Sequence, residues 1–117
     1  MNKVTVVGSF MYDLVATAPR RPKTGETLIG DSFGMFLGGK GANQAIAASR
    51  TGASVTMVGR LGNDLFGEQF LEKLSEEGIK TDFVIQDTEN GTGVGMPLID
   101  ASGDNSIVII PQANMAL

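Results

Sequence analysis

Cysteine and histidine are absent from these 117 residues, and each absence removes a class of chemistry. Without cysteine there is no disulfide framework, no thiolate nucleophile and no cysteine metal site. Without histidine there is no imidazole base and no Ser-His-Asp triad. Carboxylates, lysines, amides and backbone groups must carry any chemistry. Positive charge is also scarce: 9 Lys and Arg stand against 13 Asp and Glu, for a net charge of −4. The basic residues are scattered, which argues against nucleic acid or an anionic membrane as partner. No apolar run approaches the ~20 residues of a membrane span. No basic stretch with a long apolar run precedes Val4-Thr5-Val6-Val7, so no signal peptide is read there. The expected location is the cytoplasm.

What is present describes one globular unit. Hydrophobic residues make up 42% and charged residues 19% of the chain, enough for an ordinary core in a chain of one-domain length. Glycine, at 16 residues, is the main punctuation. Lys3 to Val7 is a β-branched run ending at Gly8-Ser9, a buried strand running into a loop. Leu14-Val15-Ala16, Thr27-Leu28-Ile29 and Phe33 to Leu37 read as short strands outside the main layer.

Gly41 to Thr51 reads as a helix whose small face, Ala42, Ala45, Ile46 and Ser49, can lie close on a sheet. Gly52 is placed to close it in the left-handed conformation. Ser54 to Val58 is a second buried strand, ending at Gly59. Asp64 is a good N-cap for a helix carrying Phe66, Phe70, Leu71 and Leu74 and ending at Gly78. Phe83 to Ile85 is a third core strand.

Strand, helix, strand, helix, strand predicts a Rossmann-like parallel sheet with crossover helices. Gly93 to Ile99 and Ser106 to Ile110 follow, joined by a turn-rich segment that suits a hairpin. Pro111 to Leu117 begins a new element, with Asn114 as N-cap. Two helices leave a three-stranded parallel sheet partly uncovered, so the chain reads as the front part of a larger α/β protein.

The densest chemical signal is Gly38-Gly39-Lys40-Gly41-Ala42-Asn43-Gln44-Ala45. Bare glycine backbone, free amides at a helix start and a lysine together suit an anion or a hydroxyl. A P-loop is a poor match, because position 41 is Gly where Ser or Thr must hold magnesium. A dinucleotide fingerprint fails for want of its third glycine. A glycine-rich turn packed closely on the sheet is the purely structural alternative.

This segment resembles the substrate-site motif of the ribokinase family of carbohydrate kinases, the phosphofructokinase-B type. The order of Gly8-Ser9, Asp13, Pro22-Lys23-Thr24-Gly25-Glu26-Thr27, Gly52, Gly59-Arg60-Leu61-Gly62-Asn63-Asp64, Gly67 and Thr92-Gly93 is similar to that family along the whole chain. The resemblance implies a ribokinase-like fold with a small β-sheet lid, the core being approximately 1–12 and 38–90 and the lid strands approximately 13–37 and 91–111. It implies that Asp13 accepts hydrogen bonds from sugar hydroxyls. Gly38 and Gly39 would bring backbone to the sugar, Lys40 and Asn43 would bond further hydroxyls, and Gly95, Pro97 and Ile107 would pack on its apolar face. It also implies ATP with Mg2+, a small-molecule sugar as partner, and a homodimer formed through the lid sheet.

Two departures qualify what the resemblance implies. Met11 stands where ribokinases proper place an Asn that bonds the sugar, and a thioether cannot replace an amide. A substrate with fewer hydroxyls at that point, or a different sugar or nucleoside, is implied. The family's catalytic base, an Asp in a Gly-Ala-Gly-Asp-like turn, has no counterpart here and is expected beyond Leu117, as is most of the nucleotide site. By itself the chain is therefore expected to lack turnover. The alternative to a kinase segment is a non-catalytic sugar-binding or dimerisation module.

Overall fold

The computed structural model describes residues 2–117, whose strands fall into two sheets. The first has three parallel strands in the order β1 (Lys3–Val7), β4 (Ser54–Gly62), β5 (Lys80–Asp87). Helices α1 (Lys40–Arg50) and α2 (Leu65–Glu76) form the connections. The second sheet is mixed, in the order β3 (Ser32–Gly38), β2 (Met11–Thr17), β6 (Val94–Ile99), β7 (Asn105–Ile110), with β2 and β6 parallel and both outer pairs antiparallel. The chain passes between the sheets at 8–10, at 38–39 and at 88–93.

Both helices cover one face of the three-stranded sheet. Val6, Val55, Met57 and Leu61 point into a core closed by Ala42 and Ala45 of α1 and by Phe70 and Leu74 of α2. Small residues let α1 approach closely: a Cβ on Gly8 would lie 2.7 Å from Gly41 Cα. Asp64 caps α2 by accepting from Gly67 N at 2.9 Å. Phe10, fully buried, meets Phe70 edge-on with ring centroids 5.1 Å apart, and Tyr12 stacks on Phe66 at 4.2 Å. This aromatic cluster fastens the start of β2 to α2, each buried ring contributing about 1.5–3 kcal/mol.

The other face of that sheet is bare. Val7 and Phe83 both lie in register with Val58, and Ile85 follows along β5; they are 67%, 61% and 46% exposed. Phe83 to Ile85 lies in the third strand of this sheet, as expected, and at its edge among the described residues. Nothing among the described residues covers that side.

Several boundaries differ from expectation, each for a physical reason. Thr27-Leu28-Ile29 pairs with no strand, and Ile29 is exposed. Pro19 and Pro22 remove ladder donors nearby, and an Arg20–Glu26 ion pair organises the loop instead. β4 runs on to Gly62 because β5 continues to pair with it as far as Asp87. The last segment is a 3₁₀ turn, Gln112–Ala116, with Pro111 at its N-cap position. Asn114 is not a cap; its side chain turns back to Phe10. No helix is long and apolar enough to cross a membrane among the described residues.

Candidate functional site

Asp13 is the third residue of β2, paired with Phe36 on one side and Gly95 on the other. Strand alternation places it on the same sheet face as Met11, Gly38, Gly95 and Pro97. Its carboxylate occupies room that two glycines leave: a Cβ on Gly38 would lie 2.7 Å from Oδ2, and one on Gly95 would overlap Oδ1. Among the described residues no donor bonds this carboxylate, and burial pushes it above the usual aspartate range. A carboxylate without a protein donor, partly out of water, has acceptor capacity to spare for a ligand's donors.

The start of α1 forms the facing side. Gly39 has φ 96°, and a Cβ there would lie 2.7 Å from Ser9 O and 2.8 Å from Met11 N. Only glycine fits this turn. Lys40 and Asn43 follow one helical turn apart, both exposed. Ala42 N bonds Ser9 O at 3.1 Å, stitching this helix start to the β1–β2 loop, and Asn43 N bonds Gly39 O at 2.9 Å, closing the first turn of α1.

These pieces enclose a cavity of about 600 Å³. Its polar lining includes Ser9, Asp13, Gly39, Lys40 and Asn43. Met11, Pro97, Ile107 and Ile109 make an apolar wall, and Pro111, Asn114 and Met115 close one end. Polar groups set beside apolar ones suit a ring that carries hydroxyls on its edge and C–H groups on a face.

The structure thus brings together Met11, Asp13, Gly39, Lys40, Asn43, Pro97 and Ile107. Gly38 and Gly95 do not line the cavity; they flank the Asp13 carboxylate. Sequence reasoning did not name Ser9, Ile109, Pro111, Asn114 and Met115 as site residues. Ile109 shares a face with Ile107 by simple alternation, a signal usable once β7 is paired with β6. Sequence alone marks the 111–115 turn only as the start of a new element, because the Asn114 contacts that bring it to the site reach back about a hundred positions.

The family described as pfkB family carbohydrate kinase matches residues 1–117. Ribokinase of Bacillus subtilis (strain 168) is 47% identical over 116 residues, covering 97% of this chain and 39% of that protein. Deoxyribokinase of Salmonella typhi is 39% identical over 114 residues, covering 97% of this chain and 37% of that protein. The structure of Arabidopsis thaliana ribokinase complexed with ribose and ATP superposes with a TM-score of 0.89 at 35% identity, over 97% of this chain and 36% of that one. The chain spans little more than a third of the length of these relatives. With the family pattern matched from its first residue to its last, the chain belongs to the pfkB family of carbohydrate kinases.

Proposed function

We propose that this chain supplies the sugar site and lid of an ATP-dependent sugar kinase, which transfers the γ-phosphate of ATP to a sugar hydroxyl. The observation that carries the reading is the Asp13 carboxylate, without a donor among the described residues, lining one cavity with Gly39, Lys40 and Asn43. Asp13 accepts from sugar hydroxyls, Lys40 and Asn43 bond others, and Pro97 and Ile107 pack on the ring. Gly38 and Gly95 give the carboxylate its room.

The chemistry needs more than these residues. No group of three or more acidic side chains able to hold a metal exists among the described residues. In this proposal Mg2+ and ATP are bound mainly by residues other than these, and the general base is likewise another residue. The four-stranded sheet acts as the lid. Its face away from the cavity exposes Phe33, Met96 and Val108 at 66%, 49% and 63%, an apolar surface suited to a homodimer contact. A cytoplasmic location belongs to the same reading.

Met11 narrows the sugar. Its thioether joins the apolar wall beside Asp13, where a hydroxyl would find no strong partner. The relatives include both ribokinases and a deoxyribokinase, and Met11 favours a pentose short of one hydroxyl. Steady-state kinetics of the native polypeptide with ribose and 2-deoxyribose tests both points. The expected result is turnover of both with higher kcat/KM for the deoxy sugar, and loss of turnover in Asp13→Ala. Absence of turnover with any pentose or hexose overturns the kinase reading, and a preference for ribose overturns the role given to Met11.

A further inference from the structure

The turn at 111–116 touches both passages from the core sheet into the lid sheet. Asn114 grips the first. Its Oδ1 accepts from Phe10 N at 2.9 Å, and its Nδ2 donates to Phe10 O at 2.7 Å and to Pro111 O at 3.0 Å. The same Nδ2 lies 3.5 Å from Met11 Sδ. One carboxamide thus holds both polar groups of the Phe10 backbone, immediately before the strand that carries Met11 and Asp13. The second passage is held by its neighbours: Gln112 Nε2 donates to Thr92 O at 2.7 Å, and Ala113 N donates to Gly91 O at 2.9 Å. Gly93 lies between the two grips, where a Cβ would overlap Asn114 Nδ2. Tyr12 N bonds Gly93 O at 2.8 Å, joining the passages directly.

We infer that Asn114 is a positioning residue for the sugar site, setting the start of β2 so that Met11 and Asp13 face the cavity at a fixed distance from Gly39 and Lys40. The inference rests on the sugar-site reading above. Only an amide fits the role. It presents one acceptor to an N–H and donors to two carbonyls, whereas a carboxylate would set its oxygens against Phe10 O and Pro111 O. Phe10 cannot hold the turn by its ring alone, since a buried ring restrains the side chain and leaves the peptide plane free to tilt. A tilt there moves Asp13 across the cavity mouth, and displacements of about 1 Å at a binding group are enough to cost large factors in affinity and rate.

The test compares wild type with Asn114→Asp and Asn114→Ala in the native polypeptide, by sugar KM, ATP KM and thermal melting. A sugar KM raised about tenfold or more with ATP KM held within about twofold supports the inference. A folded variant with wild-type sugar KM overturns it, and so does an equal rise in both KM values, which a merely structural role would give. If Asn114→Asp fails to fold, Asn114→Ala is read by the same criteria. A wild type that phosphorylates no sugar overturns the functional reading instead. Amide exchange then decides on the clamp: faster exchange at Phe10 in Asn114→Ala keeps Asn114 as the residue that sets this turn, and unchanged exchange removes it.

Discussion

The Thr92 hydroxyl is fully buried and donates to Asp64 Oδ1 at 2.7 Å while accepting from Gly62 N at 2.9 Å. Asp64 Oδ2 also takes Thr92 N at 2.9 Å. One carboxylate therefore caps α2 and ties down the residue that leads into β6. Thr92→Val keeps the shape, strands the Gly62 N–H without a partner and removes a donor from Asp64. The expected loss is about 1–3 kcal/mol of stability. It should appear in urea melts as a lower midpoint at unchanged slope.

Acid should weaken the fold through its paired carboxylates. The Arg50 guanidinium beside Glu77 holds that carboxyl down at about 2, and Arg20 does the same for Glu26, also at about 2. Arg60, bonding Asp87 Oδ2 at 2.7 Å, with help from Asn90, holds Asp87 lower still. Folded values below unfolded ones mean these groups favour folding above about pH 4.5, and the benefit is lost as pH falls toward 2. Denaturant midpoints measured from pH 6 to 2 should fall across that window. Arg50→Met, which frees Glu77 from its first partner, should flatten the decline.

Asp13 carries the opposite sign. Burial raises its carboxyl, so the ionised form disfavours the folded state, and that cost disappears on protonation. Asp13→Asn should melt higher than wild type while losing about one to two decades of sugar affinity, as expected when a hydroxyl loses a charged partner. Gly95→Ala is the geometric companion, since its Cβ would overlap Asp13 Oδ1 and meets only that side chain. It should weaken sugar binding with little effect on melting. Calorimetric titration beside thermal melts reads both variants.

Gln112 has φ 48°, the one non-glycine with positive φ among the described residues. Its strained backbone is retained together with the side-chain bond to Thr92 O at 2.7 Å. Gln112→Ala should lose that bond and keep the strain. Gln112→Gly loses the bond and relieves the strain, so it should be more stable than the alanine variant by about 1 kcal/mol. Equal melting temperatures for the two would show that the left-handed turn costs nothing there.

The sequence by itself determined the local units. Apolar spacing, an Asp at the α2 N-cap and glycines at 52 and 78, both with positive φ, mark two helices between three strands because these signals act within one or two turns of chain. The Gly38 to Ala45 motif contributes Gly39, Lys40 and Asn43 to the cavity, and the family resemblance along the chain named Met11, Asp13, Pro97 and Ile107 as well. Tertiary structure decided the rest. The parallel pairing of β2 with β6 joins residues about eighty positions apart, and that pairing sets Gly95 beside Asp13. The clamp of Asn114 on Phe10 spans 104 positions, so nothing near either residue announces it. Strand limits shifted for the same reason: β4 and β5 end where their partner ends, and a ladder's length belongs to the pair. The exposed Val7, Phe83 and Ile85 show the same division of labour. Their β-branched and aromatic character predicts a strand, while burial depends on what lies across the sheet, and side-chain chemistry alone does not encode that.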